Sequence, residues 1–123
     1  MNFTSGGTGG PRLDAAAQSQ AERGNNICGS LTATASAQRA AEAFHAIGWA
    51  VRRSSWTEFM VETVFAELEL MPLKPVAFRG FVDPDRVAVL LAALEEMGMP
   101  FTVEFEDDDG QEHVYRSAAR PDG

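Results

Sequence analysis

Cysteine is almost missing from this chain: Cys28 stands alone among 123 residues. No intrachain disulfide can form, so the fold rests on burial. Cys28 sits in the polar stretch Asn25-Asn26-Ile27-Cys28-Gly29, with no neighbouring His or basic residue in sequence to activate it, and reads as a surface thiol. Lysine is as scarce, since Lys74 is the one lysine among ten basic residues, a usage associated with GC-rich bacterial genomes. Long apolar runs are lacking, and every stretch falls well short of the ~18 residues that would span a bilayer. Met1 to Gly10 holds neither a basic group nor an apolar run, so no secretory signal is expected and the expected location is cytoplasmic.

Motifs with a defined chemistry are missing too. No HxxxH, HxH, CxxC or GxSxG spacing occurs, and His45 and His113 lie on separate segments. Gly6-Gly7-Thr8-Gly9-Gly10 has the glycine content of a phosphate loop without the following Lys-Ser or Lys-Thr. The acidic run Asp107-Asp108-Asp109-Gly110 fails as a calcium loop: with Gly110 as the turn glycine, Phe105 takes the first ligand position and Arg116 the twelfth. No catalytic residue, metal ligand or cofactor site is therefore assigned from sequence, and a non-enzymatic protein is expected.

What the chain does have is negative charge. Residues 1–48 are balanced, whereas residues 49–123 carry seven basic against fifteen acidic side chains, the whole net charge of −8. A domain of this sign repels phosphate backbones, so nucleic-acid binding is not expected. It attracts a basic protein and speeds that encounter. Hydrophobic residues at 45% are ordinary for a globular domain.

Gly and Ser cluster at 5–10 and 24–30, and between them Leu13 to Arg23 offers one large apolar group, so residues 1–35 read as a flexible N-terminal segment. Residues 36–117 read as a single α+β domain and 118–123 as a loose C-terminal tail. Ser36 caps a helix over Ala37–Ile47 that Gly48 stops. Trp49–Arg53 suits a short strand. Phe59 and Val61 alternate with Glu58, Met60 and Glu62, and then the phase flips to Ala66, Leu68 and Leu70 against Glu67 and Glu69. A flip of period two requires a hairpin at 63–65 or one long bulged strand; the hairpin is the first choice. Another strand over 75–82 leads to Asp83-Pro84, an N-cap and first-position proline opening a helix with Val87, Leu90, Leu91, Leu94 and Met97 on one face. Phe101, Val103 and Phe105 make a strand that turns at Asp109-Gly110 into an edge strand with Val114 directed inward.

The resulting fold class is α+β: a two-layer sandwich in the order α-β-β-β-α-β-β, with a mostly antiparallel sheet of four to six strands and two helices on one face. Its core would gather Phe44, Ile47, Phe59, Val61, Leu68, Leu70, Val76, Phe78, Leu90, Leu91, Leu94, Phe101, Val103 and Phe105. The carboxylates opposite these residues would share the uncovered face. Candidate partner-binding residues are Glu58, Glu62, Glu67, Glu69, Glu104 and Glu106, with Trp49, Trp56 and Met60 as apolar anchors. In size, charge and class, though in no motif, the chain is similar to bacterial immunity proteins that neutralise basic toxin domains, and that likeness implies an inhibitor-like role. The alternative is a small-ligand-binding or regulatory domain that forms a homodimer through its C-terminal sheet edge.

Overall fold

The alternation of apolar and polar residues is strictest over 59–63, 66–71 and 101–106, and in the computed structural model these and four further segments pair into one antiparallel sheet. The structure describes residues 2–117. In chain order the elements are α1 (Ala15–Arg23), β1 (Ile27–Leu31), α2 (Ala37–Ala46), β2 (Ala50–Arg53), β3 (Phe59–Thr63), β4 (Ala66–Met71), β5 (Val76–Val82), a single 3-10 turn (Pro84–Arg86), α3 (Val87–Glu96), β6 (Phe101–Glu106) and β7 (Glu112–Arg116). The strand order across the sheet is β2-β3-β4-β5-β1-β6-β7.

The α+β class and the antiparallel sheet agree with the sequence reading, while the counts do not. Among the described residues there are seven strands where four to six were expected, and three α-helices where two were. Both additions come from residues 1–35. β1 lies inside the sheet, between β5 and β6. Its pattern is hard to see because Gly29 breaks the apolar alternation of Ile27 and Leu31. The glycine is there for space: a Cβ would come within 2.8 Å of the Phe78 ring and closer still to the Thr102 carbonyl oxygen. α1 lacks an apolar stripe: it buries only Ala17 and Gln20 along its length, beside β5, and is tied down at its ends. Asp14 caps it by accepting from the Ala17 N–H and also accepts from Arg86 at 2.8 Å, while Arg23 reaches Asp108 at 2.7 Å. The helix thereby runs from the β3–β4 turn, where the Asp14 N–H donates to the Val64 carbonyl, to the β6–β7 turn. The boundary drawn at residue 35 thus cuts through the sheet. The tail read at 118–123 lies outside the described residues.

Elsewhere local signals and structure coincide. Ser36 accepts from the Arg39 N–H at the start of α2, and Gly48, at φ 99°, follows its end. Asp83 caps the proline-led turn into α3 by accepting from the Asp85 N–H. The phase flip at 63–65 is a tight hairpin, with Thr63 opposite Ala66.

One apolar cluster holds the layers together. α2 contributes Ala37, Ala40, Ala41 and Phe44, α3 contributes Leu90 and Leu94, and each strand from β1 to β6 contributes its inward residues. Ile47 and Leu91, expected inside, are partly buried at its margin. Phe3 joins the core against Phe59 and His45, with ring centroids 5.9 Å away in each case. From there residues 4–8 run along the outer edge of β2. The Thr8 N–H donates to the Val51 carbonyl, the Val51 N–H to the Thr8 hydroxyl, and the Arg53 N–H to the Thr4 carbonyl. Among the described residues no helix is long and apolar enough to cross a membrane.

Candidate functional site

Because side chains alternate across a strand, the register of the sheet fixes which residues share its second face. Three rows cross that face. The first is Ala50, Glu62, Glu67 and Phe81 on adjacent strands, continued on the far side by Glu106 and Glu112. The second spans all seven strands: Arg52, Met60, Glu69, Arg79, Cys28, Glu104, Val114. The third is Met71, Ala77, Ser30, Thr102, Arg116. None of these side chains is buried; residues 7–13 lie along the β2–β3 margin of the face, where Gly10 stands over Ala50 and the Leu13 N–H reaches Glu62, and the face is uncovered from β4 to β7, a width of roughly 20 Å at the usual ~4.8 Å per strand. It carries six glutamates against three arginines, with Met60, Met71, Phe81 and Val114 set among them.

The charges on this face act on each other. Glu69 accepts from Arg79 at 3.0 Å. Glu62 accepts from the Leu13 N–H at 3.0 Å, tying the N-terminal segment to the face. Glu67 lies directly opposite Glu62. Its carboxyl is pushed above the usual range by partial burial first and by the Glu62 charge second, with Arg52 pulling the other way. Cys28 lies between Arg79 and Glu104 in register, and its thiol approaches the Glu104 carboxylate at 3.6 Å. Burial, then the charges of Glu104 and Glu112, raise the thiol pKa, which is the wrong direction for a nucleophile.

Six of the nine residues singled out from sequence come together here: Met60, Glu62, Glu67, Glu69, Glu104 and Glu106. Three do not. Trp49 is buried, wedged edge-on between Phe44 at 4.8 Å and Phe65 at 5.7 Å, so it is a core residue and no surface anchor. Glu58 precedes β3 and closes a turn, accepting from the Ser55 hydroxyl at 2.8 Å. Trp56 is 91% exposed in the β2–β3 connection, off the rows of the face, with its carbonyl held by Arg53. Val114, expected inward, points to the open face and is 55% exposed, because the register of β6 and β7 turns His113 and Tyr115 inward instead. Sequence reasoning missed Cys28, Met71, Phe81 and Glu112. Phe81 and Glu112 follow from the alternation of β5 and β7, whereas Cys28 required recognising β1.

The histidines and the acidic turn are occupied structurally. His45 meets Phe3 edge-on. His113 Nε2 lies 2.8 Å from Asp107 Oδ2. The same Asp107 accepts from the Asp109 and Gln111 N–H groups, and these bonds, that to His113 first, hold its carboxyl below the usual range. Among the described residues no group of three or more His, Cys, Asp or Glu is arranged to hold a metal ion. No family model, curated protein or solved structure matches this chain.

Proposed function

We propose that this protein is a non-enzymatic binding module that docks a basic protein partner on its open sheet face. The observation carrying this reading is the uncovered second face, where carboxylates outnumber guanidinium groups by two to one and partly exposed apolar side chains lie among them. Hydrophobic contact at Met60, Met71 and Phe81 would supply affinity, and the carboxylate rows would supply steering and register. Glu104 and Glu106, both exposed, are the primary contacts for partner arginines or lysines, with Glu69 beside them sharing its charge with Arg79, while Glu62 is engaged by the Leu13 N–H. An inhibitor-like role, in which an acidic face covers a basic functional surface, is the form of this reading that the charge favours.

The test is a comparison of two charge-reversal variants against a basic protein captured from the native host and then purified. Glu69→Lys/Glu104→Lys/Glu106→Lys should weaken binding by at least about a hundredfold. The control Glu95→Lys/Glu96→Lys, on exposed positions of α3, should leave affinity within a few-fold. Equal loss in both variants reduces the interaction to bulk charge, and retained affinity in the first removes the face from the interface.

A further inference from the structure

The two edges of the sheet are treated differently. Residues 4–8 cover the β2 edge with three hydrogen bonds. Among the described residues nothing is bonded to the outer edge of β7. The Asp107 N–H donates to the Gln111 carbonyl and the Ser117 N–H to the Phe101 carbonyl. These two bonds fix the phase of the β6–β7 ladder: the odd-numbered residues of β7 bond to β6. Glu112, Val114 and Arg116 therefore direct their backbone N–H and C=O groups outward, to the open edge.

We propose that this edge pairs with the same edge of a second copy of the chain, in an antiparallel two-fold ladder centred on Val114. The side-chain sequence of the edge is self-complementary in that register alone. Val114, 55% exposed, meets its own counterpart. Glu112 of each copy lies opposite Arg116 of the other, twice by symmetry. Centring on residue 112 or 116 instead opposes two glutamates or two arginines, and the intermediate registers leave both charges unpaired. Edge strands usually carry charge to prevent such pairing; here the two charges are of opposite sign and equidistant from an apolar centre, so the same device favours one partner. The two-fold axis stands perpendicular to the sheet. The dimer is then one continuous fourteen-stranded layer, with the acidic faces of both copies on the same side. This follows from the edge alone and does not depend on what the face binds.

Three outward residues per strand make a small contact, so the association is concentration-dependent and is read by analytical ultracentrifugation from micromolar to millimolar protein. Wild type should shift from monomer to dimer across that range. Glu112→Arg and Arg116→Glu, each alone, should weaken the dimer by about tenfold or more. The double variant Glu112→Arg/Arg116→Glu should restore it. Val114→Pro removes an N–H that β6 does not use and should leave a folded monomer by circular dichroism. A wild-type chain that stays monomeric at millimolar concentration overturns the proposal. So does a double variant no better than either single one, whatever becomes of the proline variant.

Discussion

Replacing Glu67 by Gln should make the protein more stable at neutral pH and leave it unchanged in acid. Glu67 is half-buried on β4 and faces Glu62 directly across the β3–β4 ladder. Its carboxyl titrates above its ordinary value of 4.5 because burial and the Glu62 charge both disfavour ionisation. Between the ordinary and the raised value the folded chain binds more protons than the unfolded one, so stability falls as pH rises through that window. Below the ordinary value both states are protonated and no cost remains. The amide keeps the shape of the acid and removes the charge, so the gain combines the relieved burial of a carboxylate, the larger cause, with the relieved opposition of two carboxylates on neighbouring strands, the second being about 0.2–1 kcal/mol. Arg52, which offsets part of the repulsion, places this second contribution toward the lower half of that range. Urea unfolding at about pH 7.5 and about pH 3.5 reads the difference: with a slope of about 1–3 kcal/mol/M the midpoint moves up by a few tenths molar at the higher pH. A destabilised variant at pH 7.5, or an equal shift at both pH values, would show that the Glu62–Glu67 pair carries no electrostatic strain.

Cys28 is exposed, but its raised pKa lowers the thiolate fraction, so a disulfide reagent at about pH 8 should label it more slowly than free cysteine. Glu104→Gln should speed labelling several-fold, and identical rates would discount the carboxylate as the cause. The two tryptophans should part company: Trp56→Phe should change stability by less than about 0.5 kcal/mol and abolish most acrylamide quenching, whereas Trp49→Ala should cost about 3–5 kcal/mol. Similar responses from both would contradict the burial of one and exposure of the other.

Most of the core layer was legible because its elements are amphipathic and locally punctuated. The Ser36 and Asp83 caps, the Gly48 stop, and strict alternation through β3, β4 and β6 each point the same way as the tertiary structure. At 63–65 the phase flip admits a hairpin or one long bulged strand, and the pairing of Thr63 with Ala66 makes it the hairpin, the first choice. β1 was not legible, because a strand whose middle residue must be glycine lacks the pattern that identifies strands, and the need for glycine comes first from the Thr102 carbonyl and then from the Phe78 ring, both distant in sequence. α1 was not, because it is held by Asp14–Arg86 and Arg23–Asp108 rather than by an apolar stripe. On the open face the glutamates of β3, β4 and β6 follow from period two. The tryptophans do not, since an aromatic next to a strand can cap the core or hang off a loop, and here Trp49 does one and Trp56 the other.

β1, an interior strand with a neighbour on each side, is also the first strand of the sheet to be synthesised. Leu31 finds its neighbours only when Val76 and Phe101 exist, and Ile27 only when Gly80 and Phe105 do. Until β6 has left the ribosome, the hairpins β2 to β5 can form a four-stranded half-sheet while β1 has one flank to join and nothing on the other. Such long-range closure slows folding, and it makes the last third of the chain the segment on which completion of the whole layer waits.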